Sequence, residues 1–234
     1  MGPPGTGKTS LARGLASRIA EAVSGAGAFR YLEVEPHALA SSALGRSQKA
    51  VTELFAQTIA ENSTEPLIVL LDEVETLAAD RSKMSLEANP IDVHRATDAV
   101  LAQLDHLAST RPNLLFIATS NFPDAIDSAL VSRADLVRTI GLPTAEACRT
   151  IVLSTLDALA TAYPPIAKLK NDPDVVKAAK ACEGLDGRQI RKLVAAACGR
   201  RTEVALNPAL LTGADVLGAA KAAQAERKAK DKKS

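Results

Sequence analysis

The residues GPPGTGKT, at positions 2–9, have the types and spacing of a phosphate-binding loop. Their glycines would let backbone N–H groups curl around phosphate oxygens, because side chains would block that approach. A helix that begins at Lys8 would add the positive end of its dipole. In such a loop the lysine reaches the β- and γ-phosphates of a nucleotide, and the hydroxyl of Thr9 is a ligand of Mg²⁺. The predicted nucleotide-binding residues are Gly2, Pro3, Pro4, Gly5, Thr6, Gly7, Lys8, Thr9 and Ser10.

A second stretch, LIVLLDEVE at 67–75, ends a buried apolar run with acids. Asp72, at the carboxyl end of a strand, would hold Mg²⁺ through its water shell. Glu73 would polarise an attacking water as a general base. Acids at strand ends are common in α/β proteins, but here they follow a phosphate loop. The combination predicts hydrolysis of a nucleoside triphosphate.

Three further side chains are candidates for contact with the γ-phosphate or the attacking water. Asn121 ends the strand pattern of NLLFIATSN, where its amide could orient water; the alternative is a residue that caps the next turn. Arg133 follows a short helix pattern, and Arg188 lies in GLDGRQIRK. Either arginine could instead be only solvated, so the residues alone leave both assignments open.

The elements that would position these residues alternate along the first part of the chain. Strand patterns occur in FRYLEV (29–34), PLIVLLDE (66–73), NLLFIATSN (113–121) and LVRTIG (136–141). The intervening helix patterns include an apolar stripe at Leu11, Leu15, Ile19 and Val23. Alternating strands and helices predict an α/β fold with a mostly parallel sheet covered by helices on both faces.

From about residue 144 only helix patterns remain, which predicts a separate helical part. We therefore expect a nucleotide-binding α/β domain at 1–143, a helical lid domain at 144–228 and a basic tail at 229–234.

Composition narrows the range of functions. The net charge is +1 and aromatic residues make up 3% of the chain, so a nucleic-acid partner is not expected. The three cysteines form no C-x-x-C pair, which favours a reducing cytoplasm over a zinc site or a disulfide framework. No signal segment and no apolar run of about 18 residues occurs, so we expect a cytoplasmic protein without a membrane partner.

The order of GPPGTGKT, LIVLLDEVE, IATSN, SRAD and GLDGR resembles the AAA+ ATPases. Several stretches are more narrowly similar to the pachytene-checkpoint family of AAA+ proteins, which remodel HORMA-domain proteins. These stretches are GPPGTGKTSL, LLDEVETLAADR, DAVLAQLD, ATSNFPDAID, LVSRADL, IGLP and EGLDGRQIRKL, and the resemblance runs from residue 2 to about 228. SRAD, in place of the commoner GRLD, is the more discriminating feature. The abundance of alanine and the compact loops favour a bacterial member.

The resemblance implies a role for each candidate. Lys8 and Thr9 would belong to Walker A, Asp72 and Glu73 to Walker B, and Asn121 would be sensor 1. The implied cofactors are ATP and Mg²⁺.

Two arginines would complete the implied site. Arg133 would be an arginine finger that reaches the nucleotide of the neighbouring subunit, and Arg188 would be sensor 2 from the helical lid. A finger supplied by a neighbour makes activity depend on a homo-oligomeric ring, by analogy a hexamer. The implied substrate is a protein with a HORMA-like domain.

The sequence departs from the family pattern in two places. Ala43 and Leu44 stand where the family carries a bulky aromatic pair that grips substrate, so any grip here would be weaker. Whether residues 82–92 form a second loop that contacts substrate in the pore is not decided by the sequence. The family also has an N-terminal recognition region and a strand before the phosphate loop. In this sequence the phosphate loop already begins at residue 2. We therefore expect Met1 to be a misplaced start or a fragment boundary; the alternative is that another chain supplies the strand.

These observations leave three functions to be distinguished. The first is an ATP-driven remodeller of a protein partner. The second is a nucleotide-gated interaction module, or an inactive fragment, without productive turnover. The third, a DNA-acting AAA+ protein such as a clamp loader, is disfavoured by the near-neutral charge.

Overall fold

The computed structural model describes residues 1–23, 25, 27–34, 46–76 and 90–231. Its internal contacts divide the chain into two compact units. The first unit consists of Met1–Pro3 and Lys8–Ile140, and the second of Pro4–Gly7 and Gly141–Ser234. Within the described ranges, no helix is both long and apolar enough to cross a membrane.

The first unit contains a parallel sheet in the order β1-β2-β3. The strands are β1 (Arg30–Val34), β2 (Leu67–Leu71) and β3 (Leu114–Ala118). All five residues of β2 are buried, because β2 has a strand on either side and is covered on both faces. The predicted α/β class and parallel sheet are confirmed.

Helices accompany this sheet along the chain. They are α1 (Lys8–Ala22), α2 (Arg46–Glu53), α3 (Ala60–Asn62), α4 (Pro90–Thr110) and α5 (Ser128–Val131). A π-helical segment, Leu54–Ile59, joins α2 to α3, and short 3-10 turns cover Val74–Thr76 and Pro123–Ala125. The core of the unit includes Val51, Phe55 and Ile59 together with β2, and the rings of Phe55 and Phe116 stack at 6.0 Å.

Helix α1 does not bury the apolar stripe that marks it in the sequence. Leu11 is 55% exposed and Leu15 is 47% exposed, whereas Ala12 and Ala16 are buried. The two alanines have the same spacing of four residues and lie about 100° further around the helix, so spacing alone does not decide which face is buried. The small alanine side chains form the buried face of α1.

The expectation of a strand at 136–141 is wrong. Among the described residues the sheet has three strands, and this segment is irregular. Its backbone does bond to the start of the chain: Ile140 N donates to Met1 O at 2.7 Å, and the amino group of Met1 donates to Arg138 O at 2.9 Å. These two bonds do not form a ladder, and Leu136 is 69% exposed.

The second unit is helical. Its helices are α6 (Ala145–Ala162), α7 (Pro173–Ala181), α8 (Gly187–Cys198), α9 (Thr202–Leu206) and α10 (Gly213–Asp231), with 3-10 segments at Pro164–Asn171 and Pro208–Leu210. Side chains of Thr144, Asp172 and Asp186 cap the starts of α6, α7 and α8. The core includes two buried free thiols, Cys148 and Cys182, and burial raises the pKa of Cys182 to about 12.

A buried carboxylate in the first turn of α10, Asp215, gives this unit a predicted acid sensitivity. Arg201 donates to Asp215 Oδ1 at 2.9 Å and to Oδ2 at 2.8 Å, and the Thr212 hydroxyl donates to Oδ2 at 2.7 Å. Arg201 is the main cause of a pKa of about 2 for Asp215, below its ordinary value of 3.8. The stabilisation is therefore present above pH 3.8 and is lost as the pH falls through about 2.

We expect Asp215→Asn to lower the free energy of unfolding at neutral pH by about 1–3 kcal/mol, because a charge-assisted hydrogen-bond network is lost. Urea unfolding at a series of pH values from neutral to 2 would show a shallower acid dependence in the variant. Asp174→Asn is the matched control, since its ion pair with Lys177 is exposed. An unchanged acid dependence in Asp215→Asn would contradict the assignment.

Candidate active site

The carboxyl ends of β2 and β3 bring polar residues of two chain segments together. Leu71 pairs with Ala118 at the last position of the register. Asp72 and Glu73 therefore leave the sheet beside Thr119, whose backbone N–H donates to Leu71 O at 3.0 Å. This is the edge at which ligands bind in open parallel sheets.

Thr9, in the first turn of α1, contacts Asp72 directly. Its Oγ1 donates to Asp72 Oδ1 at 2.9 Å and lies 3.1 Å from Oδ2. The two residues predicted to share Mg²⁺ are thus within one hydrogen bond of each other. A hydroxyl and a carboxylate are oxygen ligands of the kind that Mg²⁺ takes, and Mg²⁺ retains several waters, so this donor set fits the ion.

Residues Gly2–Gly7 form the turns before α1, and Lys8 and Ser10 lie in its first turn. Lys8 is 7% exposed, and its Nζ donates to Pro3 O at 2.7 Å, which holds the ammonium group against the loop. Gly7 has φ +90°, a left-handed conformation that favours glycine even though a Cβ at this position would meet no atom within 4 Å. At Gly2 a Cβ would lie 2.1 Å from Ile140 O, so only glycine fits.

Glu73 has an unusual backbone conformation. Its φ is +53°, and among the described positions it is the one non-glycine residue with a positive φ. Such conformations cost about 1–3 kcal/mol and cluster at functional sites. Asn121 Nδ2 donates to Glu73 Oε1 at 2.8 Å, so the predicted base and the predicted water-orienting amide are in contact. A water near both groups would meet a proton acceptor and an amide that can orient it.

Two residues at this edge were not among those predicted from the sequence. The hydroxyl of Thr119, which is 5% exposed, donates to Asp72 Oδ1. Glu75 Oε1 accepts the backbone N–H of Asn121 at 3.0 Å. A signal was available, because Thr119 stands in IATSN and Glu75 in LLDEVE, close to the residues that were chosen.

Arg133 lies on the surface of the first unit and pairs with α4. Its Nε donates to Asp105 Oδ1 and its Nη2 to Asp105 Oδ2, both at 2.8 Å, while Nη1 donates to Ala129 O at 2.9 Å. Hydrogen bonding to Arg133 lowers the pKa of Asp105, and the same bond raises the pKa of Arg133. The structure thus holds the guanidinium group in a defined direction on the outside of the unit.

Arg188 belongs to the second unit, where it is exposed in the first turn of α8. Its backbone N–H donates to the capping carboxylate of Asp186 at 2.8 Å. Ala43 and Leu44, and the possible second pore loop up to residue 89, lie outside the described residues.

The fold and this edge define a class of nucleotide-binding protein, and comparison with known families agrees. The family described as "ATPase family associated with various cellular activities (AAA)" matches residues 1–142. The chain belongs to the AAA ATPase family.

Named relatives narrow the resemblance. CD-NTase-associated protein 6 of Pseudomonas aeruginosa is 60% identical over 209 residues, which are 89% of this chain and 68% of that protein. The pachytene checkpoint protein 2 homolog of Danio rerio is 40% identical over 161 residues, which are 68% of this chain and 38% of that protein. The solved structure of C. elegans PCH-2 matches with a TM-score of 0.71 and 29% identity, over 97% of this chain and 61% of that one. The predicted resemblance to pachytene-checkpoint AAA+ proteins is confirmed, and the chain spans less than half of the Danio rerio relative.

Proposed function

We propose that this chain binds and hydrolyses ATP with Mg²⁺, and that it works as a subunit of a homo-oligomeric ring, a hexamer, which partially unfolds a protein partner. The observation that carries the proposal is the pair of contacts at the sheet edge. Thr9 bonds to Asp72, and Asn121 bonds to Glu73, so the residues proposed for Walker A, Walker B and sensor 1 lie at the same edge of the sheet. Family membership supports the same reaction.

Each residue then has one task. Lys8 neutralises phosphate charge, and Thr9 and Asp72 hold Mg²⁺, which when bound supplies electrostatic stabilisation of the phosphates. Glu73 accepts a hydrogen bond from the attacking water and, as general base, takes its proton. Asn121 orients that water while its amide fixes the carboxylate of Glu73 at 2.8 Å.

Two arginines complete the proposed machinery. Arg133 is the arginine finger for the neighbouring subunit's nucleotide, which its exposed position on the first unit allows. Arg188 is sensor 2, carried by the helical second unit as the lid. A ring follows from a finger that works between subunits.

The partner is a HORMA-like protein, a proposal supported by the relatives named pachytene checkpoint protein 2. Three free cysteines, two of them buried, support action in the cytoplasm.

Nucleotide binding is tested by thermal unfolding of the 234-residue chain with and without Mg-ATP. At 100 times the dissociation constant, ATP should add about 2.7 kcal/mol to the free energy of unfolding and raise the melting temperature clearly. Lys8→Ala should abolish this shift, because the phosphates lose their ammonium partner.

Lys177→Ala is the control, since Lys177 is an exposed lysine paired with Asp174 in the second unit. A cooperative transition without a nucleotide shift in the unaltered chain would overturn the proposed function.

A further inference from the structure

Thr119 makes four hydrogen bonds to the chain segment that carries the two acids. Its N–H donates to Leu71 O at 3.0 Å, and its carbonyl accepts from Val74 N at 2.9 Å. Its hydroxyl donates to Asp72 Oδ1 and lies 3.3 Å from the backbone nitrogen of Glu73, whose N–H it accepts. Backbone and side chain of one residue therefore hold every position from 71 to 74.

The hydroxyl bonds form a consistent donor–acceptor chain. A threonine hydroxyl has one proton and two lone pairs, so it can donate once and still accept. The proton of Thr119 goes to the carboxylate of Asp72, and a lone pair remains for the N–H of Glu73. Thr9 donates to the same carboxylate from α1. Asp72 is thus held by hydroxyls on two sides.

The same hydroxyl bears on the backbone of Glu73. A glutamate at φ +53° is in a conformation that the surrounding structure must enforce. The N–H of Glu73 donates to the hydroxyl of Thr119, and the N–H of Val74 donates to its carbonyl. That turn directs the Glu73 carboxylate to the amide of Asn121.

We propose that Thr119 is a positioning residue for Mg²⁺-dependent ATP hydrolysis, whose hydroxyl fixes both the carboxylate of Asp72 and the turn at Glu73. The inference rests on the proposed function. It assigns to Thr119 two effects that a merely packed threonine would not have. One is on the dependence of nucleotide affinity on Mg²⁺, through Asp72, and the other is on kcat, through Glu73.

The variants separate the hydroxyl from the shape of the side chain. Thr119→Val keeps the volume and removes the hydroxyl, while Thr119→Ser keeps the hydroxyl and removes a methyl group. Thr97→Val is the matched control, because Thr97 is likewise a buried threonine of the first unit, but its Oγ1 has no hydrogen-bond partner among the described residues. Should Thr119→Val not unfold cooperatively, Thr119→Ala removes the same hydroxyl without adding a branched apolar group.

Two quantities are measured on the full chain. The first is the dissociation constant of a fluorescent ATP analogue with and without Mg²⁺, which needs no turnover. The second is kcat for phosphate release. Loss of a hydrogen bond to a charged group predicts that Thr119→Val lowers both the tightening by Mg²⁺ and kcat by about 10- to 100-fold. Nucleotide binding without Mg²⁺ should not change in Thr119→Val. Thr119→Ser should retain most of the tightening by Mg²⁺ and most of kcat. Thr97→Val should match the unaltered chain in both quantities.

The outcomes are distinct. Thr119→Val that keeps the Mg²⁺ tightening and kcat would overturn the assignment, and so would Thr119→Ser that is as impaired as Thr119→Val. An unaltered chain that binds no nucleotide, or binds it without any effect of Mg²⁺, would overturn the proposed function and this inference together. Impairment by Thr119→Val with recovery in Thr119→Ser would support the positioning role.

Discussion

Glu73→Gln is expected to lower kcat for ATP hydrolysis by about 10²–10⁴-fold while ATP binding stays intact, because the amide cannot accept the proton of the attacking water. Glutamine has nearly the shape of glutamate, and its oxygen can still accept the bond from Asn121 that Glu73 Oε1 accepts at 2.8 Å. The arrangement at the carboxyl end of β2 should therefore survive. Phosphate release and the dissociation constant of ATP, measured on the same preparations, check the two parts of the prediction.

Glu65→Gln is the matched control for this change. Glu65 precedes β2 at its amino end, pairs with Arg30 at 2.9 Å and is exposed, so its charge should not affect turnover. Equal loss of ATP binding and kcat in Glu73→Gln would contradict the role of general base. An unaltered chain that binds ATP but releases no phosphate would favour the nucleotide-gated module instead.

Much of the candidate site at the carboxyl ends of β2 and β3 could be predicted, because it depends on local sequence. The run LIVLL predicts a strand buried on both faces, and β2 is buried throughout. A strand end carrying Asp72 and a helix start carrying Thr9 must meet if the phosphate loop is formed. The observed bond of 2.9 Å between these side chains is the result.

The contacts of Thr119 and Glu75 could not be predicted in the same way. They depend on the register between β2 and β3, in which Leu71 lies opposite Ala118. A shift of this register would place a residue other than Thr119 beside Asp72. The periodicity of apolar residues does not determine the register between strands so far apart in sequence. The pairing of Arg133 with Asp105 likewise joins residues 28 positions apart.

The exposed leucines of α1 and the missing strand at 136–141 have a common physical source. The spacing of apolar residues indicates which side chains could be buried, but their actual burial depends on which elements pack against them. Leu11 and Leu15 have the spacing of a helix face but remain exposed beside buried alanines. The segment 136–141 has apolar residues suited to a strand, but its described backbone bonds reach only the first residue of the chain.

The second large effect is expected at Arg133. Arg133→Ala should lower kcat by about 10³-fold or more in the proposed ring, because the proposed arginine finger would stabilise the charge that develops on the transferred phosphoryl group. ATP affinity should change little, since the chain's own Thr9–Asp72 contact is unaltered. Arg111→Ala is the control, because Arg111 is also an exposed arginine of the first unit.

Mixing variants decides whether the finger acts between subunits. A chain with Arg133→Ala retains Glu73, and a chain with Glu73→Gln retains Arg133, so each is inactive by itself for a different reason. In a mixed ring, a Glu73→Gln subunit can present its arginine to the nucleotide of an Arg133→Ala neighbour, and phosphate release should rise well above that of either variant alone. No recovery on mixing, in samples shown by light scattering to form mixed oligomers, would mean that Arg133 serves its own chain. In that case its bonds to Asp105, both at 2.8 Å, would be structural and the ring would need another source of activation.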